Sequence, residues 1–170
     1  MLLTLYNTWK QRSQWLDWGR GGLEFLMKHG FDRDGQMFFT LTRDGHPLRK
    51  RRYVYSEAFM SIAAAAMYRA TGEPRWGRVA VDSFRFFLDW NFVPGRMPPK
   101  FTDHRPMLGL APRMIAITTA QSLRADLGEG AGNFGLDLNG IIDECLNQIS
   151  EMFVDHDREA VLENVTSGGI

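Results

Sequence analysis

The stretch at 56–70, SEAFMSIAAAAMYRA, constrains the fold more than any other. Strong helix formers dominate it, and Gly72 supplies a C-terminal stop. Four consecutive alanines at 63–66 leave no polar face in its middle. A helix with so little polar face is buried on most sides, so other helices must surround it. Its N-terminal end is different in kind. A basic cluster at 49–52 runs into Tyr53 and Tyr55. The first backbone N–H groups of a helix are unpaired, so such an end suits a polar or anionic ligand.

The chain has 170 residues, enough for one domain with a real core. Its 20 basic and 20 acidic residues balance, which argues against a general nucleic-acid or membrane binder. The arginine-rich stretches are local and otherwise read as solvated helix ends. One cysteine, Cys145, excludes an internal disulfide and fits a reducing, cytoplasmic compartment. It lies on an apolar helix face and reads as a packing residue. The N-terminal apolar run is too short for a signal peptide, and no stretch is long enough to span a bilayer.

Residues 6–29 read as one helix, with Trp9, Leu16, Leu23 and Leu26 at helical spacing. Gly19, Gly21 and Gly22 within it suggest close helix approach, and Gly30 ends it. Residues 37–41, the Asp44–Gly45 turn and Pro47 form a small β-hairpin. After the alanine-rich second helix, Pro74 opens a third with an apolar stripe of Trp76, Val79, Ala80, Ser83, Phe87 and Trp90. Residues 91–104 form a proline-broken loop. A fourth, largely apolar helix runs to about Asp126, and a glycine-rich connection follows at 128–135. Asp137 caps a fifth helix carrying Ile141, Ile142, Cys145, Ile149 and Phe153. Residues 160–165 read as a strand. Amphipathic helices one, three and five thus alternate with more wholly apolar helices two and four. That alternation suits an α/α toroid, with an ordinary helical bundle as the alternative.

Several strings are more specific. GFDRDGQMFFTLTRDGHPLRKRRYVYSEAF at 30–59 resembles the N-terminal signature of the N-acylglucosamine 2-epimerase family. So do PPK at 98–100, RPMLGLAPRM at 105–114, IDEC at 142–145 and VLENV at 161–165, in the same order and spacing. The resemblance implies an all-α (α/α)6 barrel, of which residues 1–170 are the N-terminal part of a single domain, with about five helices and a short β-hairpin. It implies epimerisation of N-acylglucosamine and N-acylmannosamine at C2, with a small-molecule sugar as partner and no cofactor. Cellobiose 2-epimerase and aldose–ketose isomerase are the alternatives within the family. Family members are more than twice this length. Their Asn-Pro-Gly-His-type motif and proton-transferring histidines lie beyond the ENV strand, so the chain alone is expected to be inactive.

By the same resemblance, Arg52 aligns with the family arginine that faces the barrel and contacts the sugar's carbonyl or hydroxyl oxygens. A fixed cation there stabilises an enediolate. Tyr55 stands where many members carry tryptophan, as a stacking wall or a core residue. Glu57 pairs with Arg52 or sits at the rim, and Met114 lines the cavity wall. Asn164 reads as a structural or rim residue. Arg49, Lys50 and Arg51 have no family match and read as surface groups. His29, His46 and His156 read as exposed, and His104 lies near the fourth helix; none matches a family catalytic histidine. No metal-ligand spacing occurs. Some family members respond to ATP, but no phosphate loop is present and nucleotide binding stays open. The competing reading is a non-catalytic helical interaction fragment, because animal relatives bind renin. Half a toroid would expose an apolar edge, which favours self-association, a homodimer included.

Overall fold

A computed structural model describes residues 1–98, 106–128, 134–166 and 168. The alanine-rich helix, Tyr55–Thr71, is the element against which the others pack, and it is α3 in chain order. Ala64, Ala65 and Met67 are fully buried. Gly72 adopts φ +69°, the left-handed cap predicted for it, and its N–H donates to the Tyr68 carbonyl. Helices α1 (Leu2–Thr8) and α2 (Ser13–His29) precede it. Helices α4 (Pro74–Phe92), α5 (Ala111–Leu127) and α6 (Leu138–Met152) follow. The described residues thus form six helices rather than five.

The extra helix comes from a break at residues 9–12 in the first predicted helix. Trp9 is not part of its apolar stripe: it is 72% exposed and stacks on Trp15, with centroids 5.8 Å apart. The break lets α1 fold back onto α2 and α3. Leu3 of α1 sits against Gly19, where a Cβ would collide with its side chain. The close approach expected of the glycines is therefore made at Gly19 alone; Gly21 and Gly22 face open space. Asn7 secures α1 by donating from Nδ2 to the Ala66 carbonyl at 2.8 Å.

Helix α3 packs on α1, α2, α4 and α5, while α5 packs on α3, α4 and α6. Pro74 occupies the first turn of α4, as predicted, and Trp76, Ala80, Ser83 and Phe87 form its buried stripe. Ser61 Oγ donates to the Ala80 carbonyl at 2.7 Å, binding α3 to α4 inside the core. Asp137 caps α6 by accepting from the Gly140 N–H at 2.9 Å. The hairpin pairs β1 (Thr40–Leu41) with β2 (Pro47–Arg49), turning through Gly45 at φ +89°. Gly45 also lies against the His29 ring, which is half-buried beside Phe25 rather than exposed.

The expected strand at 160–165 divides in two. Strand β4 (Val154–Asp155) pairs with β5 (Ala160–Val161), and β3 (Met107–Gly109) pairs with β6 (Asn164–Thr166). His104, the first residue of the string at 105–114 and most of the glycine-rich connection lie outside the described residues.

Candidate functional site

The starts of α3 and α5 and the ends of α2, α4 and α6 lie at one end of the molecule. Contacts from one element to the next fix this. The Met37 N–H, in the loop after α2, donates to Glu57 Oε1 in the first turn of α3 at 2.6 Å. Trp90 Nε1, near the end of α4, donates to the Arg52 carbonyl at 3.1 Å. Arg113, in the first turn of α5, lies over Phe92 at the end of α4 and Phe153 at the end of α6, 5.6 and 5.0 Å from the ring centroids. The antiparallel pairing of β3 and β6 brings 107–109 beside 164–166, joining two of the strings picked out in the sequence.

Arg52 is half-buried at this end. Its Nη1 donates to the Pro98 carbonyl at 2.9 Å, and its Cζ lies 4.4 Å from the Tyr53 ring centroid. Tyr53 in turn stacks on Tyr55, with centroids 5.4 Å apart and planes 14° apart. Tyr55 reaches Phe87 of α4 at 6.3 Å, and burial pushes its phenol up from the ordinary value. A guanidinium and two phenol rings therefore form one layered stack at the mouth of α3. Such a stack offers a fixed cation beside a flat aromatic wall.

Glu57 is placed differently from either expectation. It does not pair with Arg52 and is only 1% exposed. Its Oε1 is held by the Met37 N–H, while Oε2 is buried without a hydrogen-bond partner. Burial pushes its carboxyl up to about 7. Met114 stands on the first turn of α5 and is 54% exposed. Asn164 is half-buried in β6 beside Gly109. Among the described residues, no three His, Cys, Asp or Glu side chains gather as a metal-ligand group. No helix there is long and apolar enough to cross a membrane.

The basic cluster divides into unlike members. Arg49 is exposed, as expected. Lys50 bridges Asp32 and Asp34 at 2.7 and 2.6 Å, which holds both carboxyls below their ordinary value. Arg51, read as a surface group, is instead half-buried with its Cζ 4.5 Å from the Phe39 ring centroid. The sequence held no local signal for this, because Phe39 reaches Arg51 only through the hairpin. Arg113 was likewise not singled out, since its aromatic neighbours are distant in the chain.

The fold is that of part of a helical (α/α)6 barrel. Cellobiose 2-epimerase from Bacillus thermoamylovorans, an (α/α)6 barrel, superposes over 94% of this chain and 44% of its own with a TM-score of 0.73, at 15% identity. No family model matches the sequence. N-acylglucosamine 2-epimerase from Homo sapiens is 30% identical and that from Mus musculus 27% identical, each over 99% of this chain. The chain aligns with the N-terminal part of these N-acylglucosamine 2-epimerases. It spans about 40% of the length of those relatives.

Proposed function

We propose that this chain is the substrate-orienting part of a sugar 2-epimerase that interconverts N-acylglucosamine and N-acylmannosamine. The observation that carries the reading is the 30% identity to the human N-acylglucosamine 2-epimerase across 99% of the chain. The layered stack at the mouth of α3 gives it a chemical basis. Removing the C2 proton of an open-chain sugar moves charge onto the carbonyl oxygen. A guanidinium already fixed beside that oxygen stabilises the enediolate without reorganising. Returning a proton to the opposite face inverts C2.

In this mechanism Arg52 polarises the carbonyl and the Tyr55 ring lies against the sugar. Glu57 holds the loop before the hairpin to α3, and Met114 contributes to the wall at α5. The acid and base are histidines outside these 170 residues, so the chain alone is inactive. No metal or cofactor enters the steps. The complete enzyme works in the cytoplasm on a small sugar. An apolar groove of about 640 Å³ between α1, α2 and α3, where Trp18 and Phe59 are 57% and 69% exposed, favours association with further polypeptide, a second copy included. The fold likeness to cellobiose 2-epimerase favours a second reading, the same enediolate chemistry at the reducing end of a disaccharide.

The test is C2 proton exchange of N-acetylmannosamine in deuterated water, followed by NMR. The complete protein should exchange and epimerise; the 170-residue chain should not. Arg52→Ala in the complete protein should lower turnover by roughly a hundredfold or more while the melting temperature holds. Unchanged turnover would remove Arg52 from the site.

A further inference from the structure

We propose that Gln36 and Trp90 are positioning residues for Arg52, one gripping the peptide carbonyl before its Cα and the other the carbonyl after it. Gln36 Nε2 donates to the Arg51 carbonyl at 2.6 Å. Trp90 Nε1 donates to the Arg52 carbonyl at 3.1 Å. Peptide units are planar, so rotation about either bond at the Arg52 Cα swings one of these carbonyls. A donor on each therefore fixes both dihedral angles, and with them the direction in which the guanidinium leaves the backbone. Residue 52 needs such a hold. It stands at a bend between β2 and α3, where neither a helix nor a sheet ladder sets its geometry.

The two donors come from distant parts of the chain, 15 and 38 residues from the carbonyls they hold. Gln36 is only 4% exposed. A buried amide costs free energy unless its hydrogen bonds are made, so packing alone gives no reason for a glutamine there. It ends a tight turn, in which the Asp32 N–H donates to the Gln36 carbonyl at 2.8 Å and the Gln36 N–H to Asp34 Oδ1 at 3.0 Å. The next residue, Met37, is the one that Glu57 ties to α3. Trp90 is half-buried and stacks on Phe86, with centroids 5.4 Å apart. Phe86 in turn lies against Gly35, where an added Cβ would come within 3.3 Å of its ring. The turn and the end of α4 thus brace each other, and both hold the same residue. A cation fixed in this way meets developing charge without reorganising.

That these residues serve epimerisation rests on the sugar-epimerase reading of Arg52; that they fix its place does not. Gln36→Met and Trp90→Phe, made in the complete protein, each remove the donor and keep most of the bulk. NMR of the Arg52 guanidinium, assigned by its loss in Arg52→Ala, reports the ring-current shift from Tyr53, whose ring centroid lies 4.4 Å from Cζ. Each variant should move that resonance toward the position of a free arginine. Epimerisation of N-acetylmannosamine reports the reaction. Each variant should lower kcat by about tenfold and keep KM within about twofold. In the Arg52→Ala background the same substitutions should change kcat by less than about twofold, because nothing is left to position. Equal losses in both backgrounds, or an unmoved Arg52 resonance, overturn the proposal, since the two side chains would then serve stability alone. If the glutamine substitution unfolds the protein, Trp90→Phe carries the test. A resonance that moves while Arg52→Ala leaves turnover unchanged would sustain the positioning and count against the epimerase reading alone.

Discussion

Glu57 and Arg113 make an instructive pair. Each lies in the first turn of a central helix, α3 or α5, and each is buried, at 1% and 8% exposure. Each binds the backbone of the segment before its own helix: Glu57 accepts from the Met37 N–H, and Arg113 donates from Nη1 to the Gly109 carbonyl at 3.0 Å. Each leaves one polar atom buried and unpartnered, Oε2 of Glu57 and Nε of Arg113. Yet the two meet burial in opposite ways. Arg113 is faced by the rings of Phe92 and Phe153, which attract a desolvated cation. Burial pulls its guanidinium down from the ordinary value, but an arginine stays charged. Glu57 has no cation paired to it among the described residues and gives up its charge near neutrality. One anchor is permanent and the other titrates.

The strongest way to break this contrast is at Arg113. Arg113→Ala removes two cation–ring contacts, orphans the Gly109 carbonyl and leaves a void between two phenyl rings. The expected loss is about 3 kcal/mol, read as a lower urea midpoint. Relief of the buried charge works against that loss. Arg113→Met keeps most of the volume and removes the charge, so it should fall within about 1 kcal/mol of the parent. A methionine variant as unstable as the alanine one would mean that charge, not packing, sets the value of this anchor.

The titrating anchor gives the next largest effect. In the folded protein Glu57 keeps its proton until about pH 7, whereas an ordinary glutamate releases it near 4.5. Between those values the folded state binds more protons than the unfolded one. Stability contributed by the neutral carboxyl is therefore complete below 4.5 and is lost as pH rises through about 7. The loss is on the order of 3 kcal/mol. Asp32 and Asp34 act in the opposite direction but only at lower pH, because Lys50 depresses both. Thermal melts from pH 4.5 to 8 should decline for the parent and stay flatter for Glu57→Gln, which remains neutral. Parallel curves would show that Glu57 does not titrate in this range.

The two anchors were not equally visible in the sequence. Local punctuation was readable wherever one residue type does one physical job. Gly72 takes the left-handed cap, Pro74 the first turn, Asp137 the α6 cap and Gly45 the hairpin turn. Glu57 could be singled out because it sits beside the basic cluster, yet its burial depends on Met37, twenty residues earlier. Arg113 could not, because Phe92 and Phe153 meet it only after three helices have packed. The break at 9–12 was hidden because no proline or glycine marks it. Strand β3 was hidden because three residues carry no period, and its partner β6 lies more than fifty residues away. For Arg52 the match to the family motif pointed to the mouth of α3, while the stack with Tyr53 emerged only in three dimensions.

The smallest effect belongs to the charge that the same end leaves near solvent. Lys50 bridges Asp32 and Asp34 at distances as short as any buried hydrogen bond here, yet its side chain is 29% exposed and theirs are 35% and 51% exposed. Water competes for all three groups, and holding a long side chain in one geometry costs conformational entropy. Lys50→Met should therefore cost less than about 1 kcal/mol, despite breaking two ion pairs where Arg113→Ala breaks none. Raising salt from 0.05 to 0.5 M (concentrations on the order of those that span the relevant screening range) should erase most of that difference. The Arg113 variants should keep theirs, because buried interactions are screened far less. A salt-insensitive loss at Lys50 comparable to that at Arg113 would show that burial is not what separates the anchors from the surface bridge.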